Sequence, residues 1–237
     1  MAIVKTAFTG TSLSSQISDI VSWLNSNTTD IFDSIVHDTS NSAISFIKNS
    51  AEVAAINYTK GYECINLYYK AQSTSTSRAM QQFKMYALTA AIKTTSGIAL
   101  LFARKVAAPE YGRGVIFGKD SNGDITAVGF SEYTSDSMYR IAGCNLTSYG
   151  GSILRGVGNT SSQAEQVINP KAYNNVLTPI NVEANETPSD SVFIHSFTQT
   201  YATTGGDSGG NNYQRGDYQL TLNDVVYFSN GRVALKD

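Results

Sequence analysis

Charge is scarce in this chain. Asp, Glu, Lys and Arg make up 15% of 237 residues, where an ordinary globular protein has about a quarter. No run of Lys or Arg occurs, and the formal net charge is −2. The basic stripe with which a nucleic-acid binder displaces counterions from phosphate is therefore missing, which excludes nucleic acid as the expected partner. Histidine occurs twice, and no Walker loop, GxGxxG or HExxH motif is present, so acid–base and phosphate chemistry have no visible carriers. Cysteine also occurs twice, as Cys64 and Cys144. Two are too few for a disulfide framework, and they lack metal-ligand spacing. Their strand-like apolar settings, YECINLYY and YRIAGCNL, favour buried thiols, with one long-range disulfide as the alternative. No segment approaches the ~20 apolar residues of a membrane span; the longest, GIALLFARKV from Gly97 to Val106, has the length of a strand. The opening MAIVKTAFTGTS has no apolar run of secretory length, so the expectation is synthesis in the cytoplasm without an N-terminal export signal, and no membrane partner.

Polarity comes instead from Ser, Thr, Asn, Gln and Gly, with 14 Tyr beside a hydrophobic content of 41%. Uncharged polar and tyrosine-rich surfaces lose water at lower cost than charged ones and suit lasting protein contacts. The composition points to an assembled or secreted β protein.

Residues 12–25 (SLSSQISDIVSWLN) place Leu13, Ile17, Ile20, Val21 and Leu24 on one face of a helix, with Thr11 or Ser12 as N-cap. Trp23 lies beside this stripe. Such a face packs on the chain's own core or docks on a neighbouring subunit. Asp30 to Val36 reads as a helical turn or a strand, its pairs Ile31/Phe32 and Ile35/Val36 suiting the helix slightly better. From residue 43 short strands take over: Ala43 to Lys48, Glu52 to Tyr58 and Tyr62 to Lys70. In the last, Tyr62, Cys64, Asn66 and Tyr68 alternate with Glu63, Ile65, Leu67 and Tyr69. Residues 78–93 are ambiguous, helical by propensity but followed by a strand. GVIFGKDSNGDITAVGF predicts a hairpin turning at Asn122-Gly123, and DYQLTLNDVVYFSNGRVALKD predicts strands at Asp217 to Leu222, Asp224 to Ser229 and Arg232 to Lys236, the last two joined by a turn at Asn230-Gly231. The expected fold is mainly β: an N-terminal helical arm over residues 1–42 and an antiparallel, jelly-roll-like β-sandwich over 43–237 that ends in a hairpin.

Three peptides invite a chemical reading. GDSGG, Gly206 to Gly210, resembles the nucleophile peptide of trypsin-like serine proteases. The catalytic order there demands a His far upstream of the Ser. His37, in DSIVHDTSN, has the wrong setting, and His195 is too near Ser208. The family's Pro after GDSGG is Asn211 here, and the 29 residues after Ser208 leave too little chain for the strands and terminal helix that follow the family's nucleophile. RGD, Arg215 to Asp217, resembles the integrin-binding tripeptide but leads directly into a strand. Both belong to a Gly/Asn-rich connector, in which Asn211 and Tyr213 are expected to touch a neighbouring subunit. Asp120, Asn122 and Asp124 imitate positions 1, 3 and 5 of an EF-hand calcium loop. Position 6 is Ile125 instead of Gly, and position 12 is Ser131, with Glu132 one place late. A polar hairpin turn is expected there, with a weak calcium site as the alternative. Tyr58, Tyr62, Tyr68 and Tyr69 suit cross-strand packing or subunit contact, and otherwise a sugar-stacking face.

A short helical N-terminus, a Ser/Thr/Asn/Gly-rich β domain and a closing hairpin together resemble structural proteins of tailed-bacteriophage virions. The resemblance is one of style over the whole chain, without a diagnostic motif. It implies a non-enzymatic, multi-copy, symmetric element of a tail, baseplate or neck. Its partners would be copies of itself and other virion proteins, with no cofactor, and Leu13, Ile17, Ile20, Trp23 and Leu24 would be contact candidates. Two alternatives stand beside it: a receptor- or glycan-binding sandwich at a fibre or baseplate tip, which would take a host-surface glycan, and a hydrolase whose groups meet only in three dimensions.

Overall fold

The helix forms where the apolar spacing places it. The structure, a computed structural model, describes residues 3–70, 78–103, 113–133, 138–147, 154–156, 176–179, 189–196, 218–229 and 233–237. A 3-10 turn, Ser14–Gln16, leads into helix α1, Ile17–Asn27. The Ser12 hydroxyl accepts the Ser15 N–H at 3.3 Å at this entrance, and Asp19 places a negative charge in the first helical turn, where the helix dipole favours it. Buried Thr28 ends the helix by donating both its N–H and its hydroxyl to the Leu24 carbonyl.

Strand β1 (Val4–Ala7) precedes the helix. After it come β2 (Ser34–Asp38), β3 (Ala43–Lys48), β4 (Ala51–Asn57), β5 (Cys64–Lys70) and β6 (Arg78–Lys84), a five-stranded meander in chain order. Next are β7 (Ala87–Lys93), β8 (Gly97–Ala103), β9 (Arg113–Lys119), β10 (Ile125–Tyr133), β11 (Met138–Asn145) and β12 (Leu154–Gly156). They form a second meander, and β1 joins its edge against β7. Finally β13 (Val176–Pro179), β14 (Val192–Ser196), β15 (Tyr218–Leu222), β16 (Val225–Ser229) and β17 (Val233–Lys236) form a third sheet in the order β13-β14-β17-β16-β15. Every pairing is antiparallel. The fold is thus mainly β and a sandwich, built of three sheets.

The seven-stranded sheet is the central layer. Side chains alternate between the two faces of a strand. On one face Ile98, Leu100, Val115, Phe117 and Ala127 share a core with Ile44, Phe46, Ile56, Ile65 and Leu67 of the β2–β6 sheet. On the other, Ala99, Ile116, Val128 and Phe130 meet Val192, Phe228, Val233 and Leu235 of the third sheet. Strand β9 is consequently buried without interruption from Gly114 to Gly118, so its apolar run does not alternate. Close approach of the layers is made possible by glycine. A Cβ on Gly129 would overlap the Phe83 ring of the β2–β6 sheet, and one on Gly118 would overlap Val192 and Ser191 of the third sheet. Phe32, Phe46 and Phe117 form a three-ring cluster, with centroid separations of 5.0 to 5.4 Å, that ties the segment after the helix to both layers.

Several sequence expectations change. Asp30 to Val36 is no helical turn: Ile31 and Phe32 donate to the Thr28 carbonyl in a turn, and the chain then enters β2. Residues 78–93 are two strands, β6 and β7, separated by Met85 and Tyr86. Pairing on both flanks of each strand, except at the outer edge of β6, outweighs the helical propensity of Ala, Met and Gln. Tyr62 lies in a turn ahead of β5. The turn before β16 is Asn223-Asp224, both at positive φ (49° and 64°), as are Asn49-Ser50 (51° and 58°) between β3 and β4. Two successive positive φ values are what a tight two-residue hairpin of matching twist requires. Asn230-Gly231 lies outside the described residues. Within the stretch read as an N-terminal arm, β1 belongs to the central sheet and β2 to the first meander.

Candidate functional site

The helix stripe faces inward. Leu13, Ile20 and Leu24 are fully buried in the core shared by the first two layers, with Ile17, Val21 and Trp23 packed against it. The Trp23 indole N–H donates to Thr6 Oγ1 at 3.1 Å, and its ring meets Phe8 edge-on at 6.5 Å. Of the two readings of this stripe, docking on a neighbouring subunit is corrected to core packing for Leu13, Ile20 and Leu24, while Ile17, Val21 and Trp23 keep part of their surface exposed.

Gln16 was not singled out by sequence reasoning, yet with Thr28 it is one of two fully buried polar side chains of the helical region, each 1% exposed. Its amide nitrogen donates to the Leu88 carbonyl and its amide oxygen accepts the Leu88 N–H, both at 2.7 Å. The β7–β8 register shifts between Leu88 and Ala90. Gln16 thereby acts as a piece of strand, satisfying both backbone groups of Leu88 beside the irregularity. A polar residue within an otherwise apolar helical stripe is the only signal the sequence offers.

The hairpin turn read as a calcium candidate joins the central layer to the third sheet. Its own closure is local: Asp120 N–H to Asp124 O and Gly123 N–H to Asp120 O, both 2.8 Å, with Gly123 at φ 85°. The half-buried Asp120 carboxylate accepts the hydroxyls of Ser191 (2.6 Å), Ser189 (2.8 Å) and Thr126 (2.9 Å). Asp190 accepts the Ser121 N–H with both oxygens at 3.1 Å. Residues 189–191 are thus bound to this turn just ahead of β14. Asp124 turns elsewhere and accepts the Thr147 hydroxyl at 2.8 Å. Asn122 sits exposed at the tip. The carboxylates of positions 1 and 5 of the imitated loop therefore serve different partners. Among the described residues, no group of three or more His, Cys, Asp or Glu gathers where it could hold a metal ion.

The two neighbouring carboxyls divide their ionisation. Burial, reinforced by the charge of Asp190, pushes Asp120 above the ordinary Asp value against the pull of its three hydroxyl donors. Burial opposes the ionised form of Asp190 as well, but hydrogen bonds from Ser121 and Asp120 and the charge of Lys236 hold it below that value. The pair is therefore driven apart, Asp120 towards its protonated form and Asp190 towards its charged one. Through its three hydroxyl donors Asp120 fastens the central sheet to the segment that enters the third.

On the outward face of the β2–β6 sheet, Gln82 donates to Asn66 Oδ1 (3.1 Å) and Cys64 Sγ (3.3 Å). Cys64 is a buried free thiol, as the sequence setting suggests, and burial pushes its pKa up. Cys144 falls in β11, its side chain outside the described residues. Burial, and then the Glu52 charge, pushes the Tyr68 hydroxyl up to about 12. The four tyrosines do not make one platform among the described residues. Tyr58 packs against the core and bonds His37 Nε2 through its hydroxyl at 2.9 Å; Tyr62 is 76% exposed in a turn; Tyr68 sits beside Glu52; and the Tyr69 side chain is outside the described residues. GDSGG, RGD, Asn211 and Tyr213 also lie outside them, and so does the His195 side chain. No helix among the described residues is long and apolar enough to cross a membrane. Comparison with protein-family models, with curated proteins and with solved structures finds no match.

Proposed function

We propose that this chain is a non-enzymatic structural component of a tailed-phage particle, present in several copies in a symmetric element of the tail, baseplate or neck. The observation that carries the proposal is a sparsely charged chain, 15% Asp, Glu, Lys and Arg, folded as three stacked sheets whose polar junctions close on the protein itself. Gln16 closes on Leu88, Asp120 on three hydroxyls, and Thr94 on the Lys236 carbonyl at 2.8 Å. A rigid stack with an uncharged polar surface suits permanent assembly, because little hydration of charge is lost on contact. Sedimentation and negative-stain microscopy of the purified chain test this, together with antibody labelling of the virus particles. Symmetric multimers and a label at a fixed place on the particle are expected. A monomer at every concentration, with unlabelled particles, refutes the proposal.

A receptor- or glycan-binding role has one observation in its favour: the outward face of the β2–β6 sheet carries the exposed Gln82 and the partly exposed Tyr68, groups of the kind that bind sugars. A glycan array probed with the purified chain tests it, and uniform silence refutes it.

A further inference from the structure

Strand β2 is an edge. It is the first strand of its sheet and pairs only with β3, leaving the backbone groups on its other side without a strand partner. Such an edge is a template for another strand, and proteins ordinarily guard it with charged side chains, Lys above all, with Pro, with a bulge or with a covering helix or loop. Most of the other edges carry such a guard: Lys5 in β1, Arg78 and Lys84 in β6, Arg155 in β12 and Pro179 in β13. Strand β15 lacks one, but it is entered directly from residues outside those described. β2, with the sequence Ser-Ile-Val-His-Asp, has no Lys, Arg or Pro; its one carboxylate, Asp38, is turned back onto Ser40 and Asn41 of the following turn, and its pairing with β3 is regular from Ser34 to Asp38. It is also open to solvent: Ser34 and His37 are exposed, and Val36 is 45% exposed on the outward face.

We infer that β2 is a contact between copies of this chain, pairing antiparallel with β2 of a second copy across a two-fold axis at Val36. The strand is self-complementary in that register. Val36 opposes its own copy and shields an exposed apolar surface, the Ser34 hydroxyl opposes the Asp38 carboxylate, and Ile35 opposes His37. No like charges face each other. A shift that centres the axis on His37 would set two histidines against each other and Val36 against Asp38, which disfavours that register relative to the one centred on Val36. The two five-stranded sheets become one continuous sheet, and the open edge disappears. A five-residue seam is small beside the roughly 800 Å² per partner of a standard interface. The contact is therefore weak in isolation and acts through repetition in an assembly. The inference rests on the multi-copy reading for its purpose and on the strand edge for its geometry.

The test uses the full chain with two substitutions and a control. In Val36→Cys the new thiols lie directly opposite across the axis, with Cβ atoms about 4.5–5.5 Å apart, close to what a disulfide spans. In Ser34→Cys they are four residues out of line, about 13 Å apart. Mild oxidation should link Val36→Cys into a dimer at least tenfold faster than Ser34→Cys, with peptide mapping to place the bond. Val36→Lys sets two lysines face to face at an exposed site. It should weaken self-association roughly 5-fold or more in sedimentation while leaving the circular dichroism melt unchanged. Val4→Lys on β1, also exposed, should leave association as it is. A multimer indifferent to Val36→Lys, with no preferential linking of Val36→Cys, overturns the β2 contact and leaves the multi-copy reading standing. A monomer throughout overturns both. Capture of a different protein's strand at β2, with no self-association, also overturns the inference.

Discussion

Replacing Gln16 by Leu would remove two hydrogen bonds from a fully buried polar junction of the helical region while keeping side-chain volume nearly constant. Its amide closes on Leu88 N–H and C=O at 2.7 Å each, in a site 1% exposed. A buried backbone group left without a partner costs about 1–3 kcal/mol. Two such groups give an expected loss of about 2–6 kcal/mol, a large share of the roughly 5–15 kcal/mol by which a domain is stable. Trp23, the only tryptophan, is on the same helix against Phe8 and reports unfolding by fluorescence. Urea titration should show a lower midpoint at unchanged slope, and the Leu88 amide should exchange faster with solvent. Gln16→Glu separates the loss of a donor from the loss of packing. At neutral pH its carboxylate faces the Leu88 carbonyl without a proton to donate, whereas the protonated acid can both donate and accept as the amide does. Its folded-state pKa is therefore raised, so the stability it contributes is present at low pH and is lost as pH rises through that value. A loss below about 1 kcal/mol in Gln16→Leu, or a Gln16→Glu variant that does not recover in acid relative to wild type, would refute the account of Gln16 as a surrogate strand.

Three further outcomes follow from the layered packing. Gly129→Ala places a Cβ against the Phe83 ring and should cost about 1–3 kcal/mol; Phe83→Leu should recover part of that cost in a double-mutant cycle, and additive effects would deny the contact. Asp120 has a raised value, so its contribution is complete below its unfolded pKa and declines as pH rises through the folded one; Asp190 is depressed, so its contribution holds above its unfolded pKa and is lost as pH falls through the folded one. Asp120→Asn removes the first component, and the variant should gain on wild type as pH rises from the carboxylate range towards neutral. A gap independent of pH in chemical denaturation counts against the raised value of Asp120. Buried Cys64, with its thiol pushed up, should resist a maleimide in the native protein and react on unfolding, as peptide mapping will show; rapid native labelling would place it at the surface.

Local structure was legible wherever one short-range signal dominated. The spacing of Leu13, Ile17, Ile20 and Leu24 marks a helix because only a 3.6-residue period brings them together, and the helix forms over Ile17–Asn27 after its 3-10 turn. Ala43 to Lys48 is a strand in both readings, and Asp120 to Asp124 is the expected turn between β9 and β10. The signal failed where neighbours distant in sequence decide. Residues 78–93 hold good helix formers, yet β5 and β8 lie beside them as pairing partners. The two-residue turns use Asn-Ser and Asn-Asp, so a search for Asn-Gly misses both. Of the candidate site, Asp120 and Asp124 were visible as carboxylates, but their partners Ser189, Ser191 and Thr147 come from 23 to 71 residues away.

By itself the sequence determined a β-rich, sparsely charged chain with one amphipathic helix, because composition and periodicity are properties of neighbouring residues. Tertiary structure decided that there are three layers, that the helix stripe and Gln16 face inward, and that Asp120 fastens the central sheet to the third. The physical reason is that a residue's face, burial and hydrogen-bond partners depend on what is stacked against its strand. For the central sheet that is a different sheet on each side, and nothing within a short window of sequence records it.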